Sequence, residues 1–245
     1  MTIERSGLWG ALAMGLLVAA AQPAAQAQSA GVRLALPPLE RVTGQPPAPG
    51  SSVVRDDLAV LRWLQQNRTP ELVADAWLLL DRNLALFSRA LGVDLSKTAP
   101  ATLAGLRPFL LEVDAASSQL KLQARRPRPY LSHPDLVPCL PRESGFSFPS
   151  GHSTWYAAAA ELLSALVPER RERLLQVGSH GGASRVMCGL HYPSDVEAGQ
   201  RLGRAAAAQI QQLPEWQAFI ANPAVQAELQ AMKATPPTAL PLLMR

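Results

Sequence analysis

Aromatic residues are scarce in this chain, at 5% of the sequence, and charged residues make up only 17%. With hydrophobic residues at 48%, so little charge excludes wholesale disorder and leaves material for a well-buried core. A strong surplus of one charge sign is missing too. The formal net charge is +4, with no polybasic tract, so nothing suggests a nucleic-acid partner, and the mild positive balance suits a small anionic substrate. Past the N-terminus no apolar run is long and clean enough to span a bilayer: Trp155 to Val167 is interrupted by Glu161, and Leu72 to Val93 carries Asp75, Asp81, Arg82 and Arg89. Strand-like alternation and internal repeats are also lacking, which leaves an all-α reading. Only two cysteines occur, Cys139 and Cys188. In an exported chain they either pair, closing a loop of about 50 residues worth roughly 4 kcal/mol in the chain-entropy view, or stay as two buried thiols.

What is present begins at the N-terminus. Arg5 precedes an apolar run from Leu8 to Ala21, and Ala25-Gln26-Ala27 offers small residues at the two positions a signal peptidase reads. Residues 1–27 therefore read as a secretory signal peptide, and the mature chain as a periplasmic or secreted bacterial protein with no membrane attachment. Its removal takes away one acid and one base, Glu4 and Arg5, and leaves the net charge unchanged. Residues 28–54, with Pro37-Pro38 and Pro46-Pro47-Ala48-Pro49-Gly50, read as an extended arm without a helix.

Residues 55–234 carry helical patterning throughout, as a single domain. Helices are expected from Asp56 to about Gln66, and from the Thr69 cap and Pro70 to Gly92. Another should run from Ala101 to about Gln123, with Pro108 a bend or break. Six prolines between 127 and 149 predict a long loop, and loops of that length in a compact domain usually serve function. Helices resume at Ser153–Leu166, from Pro168, from Pro193 to Gln212, and from Pro214 and Pro223. Residues 235–245 read as a frayed Pro-rich tail.

Three clusters carry chemistry. Lys121 is followed after six residues by Arg128-Pro129; Pro149-Ser150-Gly151-His152 opens a helix; and Ser184-Arg185 is followed by His191 and Asp195. Lys121, Arg128 and Arg185 are three cations suited to a phosphate and to the charge on the equatorial oxygens of a phosphoryl transition state. Ser150 and Gly151 stand where first-turn N–H groups point at an anion. The i, i+4 spacing of His191 and Asp195 suits a carboxylate that fixes one imidazole nitrogen and leaves the other as a nucleophile. His152, on another segment, is the candidate general acid. Each cluster alone has an ordinary explanation: a solvated basic loop, a helix start, a surface ion pair. Their conjunction does not. A metal site would want clustered His and carboxylate ligands, whereas cations dominate these clusters, so no metal or other cofactor is expected. His133 and His180 belong to no cluster; His133 reads as a solvated loop residue and His180 as sitting at a helix irregularity.

Together the clusters resemble the tripartite phosphatase signature of the type 2 phosphatidic acid phosphatase superfamily, which includes bacterial non-specific acid phosphatases and vanadium haloperoxidases. Ser184-Arg185-Val186-Met187-Cys188-Gly189, Ser194-Asp195-Val196 and Asn222-Pro223-Ala224-Val225-Gln226 are similar to the bacterial class A acid phosphatases. The resemblance implies a compact single-domain helical bundle and broad hydrolysis of phosphate monoesters at acid pH, with some phosphotransfer. It implies that His191 is phosphorylated, that Asp195 orients it, and that His152 protonates the leaving group. Lys121, Arg128, Ser150, Gly151 and Arg185 would hold the phosphate. Homo-oligomers are common in that group. A vanadium-dependent haloperoxidase or a lipid phosphate phosphatase could use the same anion pocket.

Overall fold

The computed structural model describes residues 31–234 together with 236, 240 and 241. Residues 1–27, read above as a signal peptide, and most of the expected C-terminal tail lie outside the described residues. From the N-terminal side come α1 (Leu36–Thr43), α2 (Ser52–Asn67), α3 (Pro70–Leu78), α4 (Ser88–Leu91) and α5 (Leu95–Thr98). Next are α6 (Pro100–Ala124), α7 (Pro129–Ser132), α8 (Gly151–Leu166) and α9 (Arg171–Met187). The chain finishes with α10 (Pro193–Ile210), α11 (Pro214–Ile220) and α12 (Pro223–Ala234). Two short 3-10 turns, Leu84–Phe87 and Pro168–Arg170, complete the set, and there is no strand among the described residues. The fold is all-α. No helix among them is long and apolar enough to cross a membrane.

Proline abundance and helical content are compatible because α3, α6, α7, α10, α11 and α12 all begin on proline. At a first helical position the missing N–H would have had no acceptor anyway, and the fixed φ suits the helix.

The centre of the bundle is α8. Its residues from Ser153 to Ala160, with Leu162 and Leu163, are buried. A helix apolar on every side belongs in the core, and α8 packs against α6, α9 and α10. Small residues set how close it comes. A Cβ added to Gly199 of α10 would stand 2.5 Å from the Ser150 carbonyl oxygen, and one on Gly203 would stand 2.3 Å from that of Thr154. These two helices therefore meet backbone to backbone. The Ser150 N–H donates to the Asp195 carbonyl at 2.9 Å, which ties the start of α8 to the first turn of α10. Leu106, Phe109 and Val113 of α6, Leu202 and Ile210 of α10, Trp216 of α11 and Leu229 and Met232 of α12 complete the core around α8.

Several expectations need correction. The segment 28–54 is not wholly extended: α1 forms inside it, with its prolines at the helix start and Leu39 fully buried. Arg201 of α10 donates to the carbonyls of Val42 and Thr43 and holds its end. The helix from Pro70 stops at Leu78 instead of reaching Gly92. The carbonyls of Leu80 and Asp81 turn instead to His152 and Tyr156, so tertiary partners outbid helical ones. Gly92, with φ of 76°, caps the short α4. α6 runs through Pro108 unbroken, carried by the burial of Leu106, Phe109 and Leu110 around it. One turn of helix, α7, interrupts the Pro-rich loop. His180 lies within an uninterrupted α9. Cys139 and Cys188 form a disulfide across 49 residues, joining that loop to the end of α9.

Candidate active site

Each chemical residue sits at the end of a helix or in the loop beside it. Lys121 is in the last turn of α6, Arg128 caps α7, and Arg185 is in the last turn of α9. Ser150 caps α8, its hydroxyl accepting from the Ser153 N–H at 3.4 Å, with Gly151 and His152 as the first helical residues. His191 precedes α10, and Asp195 is its third residue. Arg125, in the left-handed region at φ 49°, ends α6 and turns the chain back so that the following arginines face this cluster.

A cavity of about 450 Å³ is lined by Lys121, Arg128, Glu143, Gly151 and His152, with Arg82 and Arg142 at its edges. Arg185 and His191, 0% and 1% exposed, do not line it but touch residues that do: Arg185 donates to Glu143, and His191 Nε2 accepts from Arg128. Two nitrogens of the Arg185 guanidinium, Nε and Nη1, have no hydrogen-bond partner. A buried guanidinium with unused donors costs free energy until an anion meets it.

The imidazoles are held in defined tautomers. A guanidinium can only donate, so the 3.0 Å contact between Arg128 Nη1 and His191 Nε2 makes Nε2 the acceptor and puts the ring proton on Nδ1. That Nδ1 lies 3.4 Å from Asp195 Oδ2. Burial, then the charges of Lys121 and Arg128, hold the His191 pKa well below the usual histidine value, so the ring stays neutral in acid. In His152 the polarity is reversed: Nε2–H donates to the Leu80 carbonyl at 2.8 Å, and Nδ1 is the nitrogen that faces the cavity. Burial, then Arg185, lowers its pKa to about 4. Lys121 Nζ donates to the Phe146 carbonyl at 2.9 Å, and burial followed by Arg128 brings its pKa to about 7.

The expected i, i+4 relation of His191 and Asp195 comes from a helix start and not from a full helical turn. Asp195 Oδ2 accepts the Tyr192 N–H at 2.9 Å, folding the chain back so that the preceding histidine meets the carboxylate.

Three residues that the motif reading left out also belong here. Arg126 Nη1 donates to Asp195 Oδ1 at 2.7 Å and its Nη2 reaches Asp57 Oδ2 at 3.3 Å. Arg126 also stacks 3.8 Å over the Tyr192 ring. Asp57 in turn accepts from the Ser194 N–H at 3.1 Å. The third is Glu143. It pairs with Arg128 at 2.6 Å and with Arg185, and its Oε1 lies 3.8 Å from His152 Nδ1. The run Arg125-Arg126-Pro127-Arg128 was a usable signal for Arg126. Asp57 reads as a helix-start acid, and nothing in the sequence sets Glu143 apart. His133 is not part of the cavity; it borders a separate hollow with Tyr192 and Arg126.

Chemically, the arrangement offers a cationic cradle, one imidazole whose unprotonated Nε2 accepts from Arg128, and a second that presents a proton when charged. That is the equipment for in-line transfer of a phosphoryl group to nitrogen with protonation of the departing oxygen.

Residues 84–218 match the PAP2 superfamily. The chain is 30% identical over 162 residues to a non-specific acid phosphatase of Salmonella typhi, covering 63% of this chain and 64% of that one. It thus spans somewhat under two thirds of that relative's length. It is also 30% identical over 183 residues to the non-specific acid phosphatase of Providencia stuartii, covering 70% and 73%. Among solved structures, a transmembrane PAP2 type phosphatidylglycerolphosphate phosphatase from Bacillus subtilis superposes with a TM-score of 0.47 and 23% identity, over 65% of this chain and 85% of that one.

Proposed function

The chain belongs to the PAP2 superfamily, and on that footing we propose that it is an acid phosphatase, hydrolysing phosphate monoesters through a phosphohistidine without a metal ion. The observation that carries the proposal is Arg185: a fully buried guanidinium with two unpartnered nitrogens, bonded to Glu143 beside a cavity lined by Lys121, Arg128 and His152.

In this reading the phosphate oxygens take the donors of Lys121, Arg128 and Arg185. The Gly151 and His152 N–H groups, which have no acceptor within the helix, and the Ser150 hydroxyl add to them. The His191 Nε2 lone pair forms a bond to phosphorus while the ester P–O bond breaks. The departing oxygen takes the Nδ1 proton of His152. Asp195, braced by Arg126, stabilises the Nδ1–H of His191 as positive charge grows on the ring. In the second half, His152 Nδ1 takes a proton from water, the water oxygen bonds to phosphorus, and the P–N electrons return to Nε2. An alcohol in place of water would give phosphotransfer.

Acid pH suits both imidazoles. His191 stays neutral and nucleophilic, while His152 needs acid to hold the proton it donates. A bound phosphate, replacing water with negative charge beside His152, raises its pKa in the complex. Cations around the cavity repel a metal ion and attract the substrate. We also propose that residues 1–27 direct export to the periplasm or beyond, and that the mature chain self-associates.

The test is hydrolysis of a chromogenic aryl phosphate at acid pH with excess chelator. Undiminished turnover is expected. Loss of activity with chelator, regained on adding a divalent ion, would overturn the metal-free mechanism; no hydrolysis under either condition would overturn the assignment itself.

A further inference from the structure

The loop between α7 and α8 places a carboxylate where the substrate's phosphate should sit. Glu143 spans Arg128 Nη2, at 2.6 Å, and Arg185 Nη2, with His152 Nδ1 at 3.8 Å. The proposed mechanism gives the first two to the phosphate oxygens and the third to the departing oxygen. Without Glu143, Arg185 would have no acceptor for any of its nitrogens among the described residues, since Nη2 to Glu143 is its one bond. We infer that Glu143 is a tethered place-holder for the substrate anion: it occupies the cradle in the free protein, competes with phosphate for Arg128 and Arg185, and sets how strong an anion must be to enter. This rests on the phosphatase reading of the site.

The local structure supports an exchange. Backbone and side chain are held differently. The Glu143 carbonyl accepts from the Tyr130 hydroxyl at 2.8 Å, and the Gly145 carbonyl accepts from Arg128 Nε at 3.1 Å, so the strand of loop is pinned at both ends. The side chain is 28% exposed, with Arg142 and Ser144 exposed on either side, so it can swing out through its own rotamers without moving the backbone. The disulfide at Cys139, four residues before Glu143, holds the same loop to the end of α9, where Cys188 follows Arg185 by three residues.

The energetic logic has two sides. In the free protein the carboxylate spares a buried guanidinium from standing unpaired, a situation that is strongly destabilising. In binding it is a competitor at high local concentration. If the cradle is free only about a tenth of the time, apparent phosphate affinity falls about tenfold. The factor is the same for every anion that needs the cradle, so the place-holder raises the concentration at which each of them binds without changing their order.

Glu143→Gln keeps the shape and removes the charge; Glu143→Asp keeps the charge and shortens the reach. Inorganic phosphate and sulfate would be titrated calorimetrically against the wild-type protein and both variants, with melting temperature recorded in each ligand. For Glu143→Gln we expect about tenfold tighter phosphate binding, the same relative gain for sulfate, a lower melting temperature without ligand, and its recovery with phosphate. Glu143→Asp should fall between. Unchanged or weaker phosphate binding in Glu143→Gln would overturn the inference. So would a loss of kcat with unaltered phosphate affinity, which would make Glu143 a group that positions His152. Because binding is read without turnover, a protein that binds phosphate but hydrolyses no ester would sink the phosphatase reading and leave this one standing.

Discussion

Burial suits His191 to the nucleophilic role proposed for it, because it keeps neutral in acid a ring that at the surface would be charged. A solvated imidazole is mostly protonated at pH 5 and has no lone pair to offer. Here burial and the neighbouring cations keep the ring neutral, and Arg128 and Asp195 select which nitrogen is unprotonated. His191→Ala should therefore abolish turnover of every ester. His152→Ala should separate substrates by leaving group: alkyl phosphates should slow by about 10²- to 10⁴-fold, and activated aryl phosphates far less. Equal losses for both, measured as kcat against leaving-group pKa, would remove His152 from the proton-donating role. Lys121 adds a further signature. Its pKa of about 7 leaves it charged below neutrality and increasingly neutral above, so its pull on phosphate weakens as pH rises through 7. Lys121→Arg, which stays charged, should flatten that part of the phosphate-affinity profile; an unaltered profile would place the titrating group elsewhere.

At the scale of elements, the contact between α8 and α10 fixes the site. Gly203 meets the Thr154 carbonyl, so Gly203→Ala must push the helices apart. A loss of about 1–3 kcal/mol in urea unfolding is expected, as for other overpacked cores, together with lower kcat as the Ser150–Asp195 tie is strained. The helices around this contact were legible in the sequence because each has its own signals: Pro193 at a start, the Ser150 cap, the alanine run of α8. The three chemical clusters were legible for a related reason, since each lies within one short stretch at a helix end. Glu143, Arg126 and Asp57 were not, because their importance comes only from partners far away in the chain: Glu143 to Arg185, Arg126 to Asp195, Asp57 to Ser194. The early end of α3 was hidden likewise, since the carbonyls of Leu80 and Asp81 take partners from α8. The α1 helix was obscured by composition: two adjacent prolines look like extended chain unless a buried Leu39 shows that a helix start is their place.

At the scale of the whole molecule, the site draws on α6, the loop after α7, α8, α9 and the start of α10, so its geometry depends on the fold as a unit. The Cys139–Cys188 bridge encloses the loop, α8 and α9 in one covalent ring. Replacing both cysteines by serine should cost roughly 4 kcal/mol by the chain-entropy relation, read as a lower urea midpoint with little change in slope. A midpoint unmoved by the double change would mean that packing alone holds the loop. The most direct test of the whole account is to trap the phosphorylated protein: mix it with an isotopically labelled aryl phosphate, quench within milliseconds, and locate the label by peptide mass spectrometry. The account predicts an acid-labile phosphoryl group on His191, absent from His191→Ala. Label on another residue, or steady turnover by His191→Ala, would contradict it.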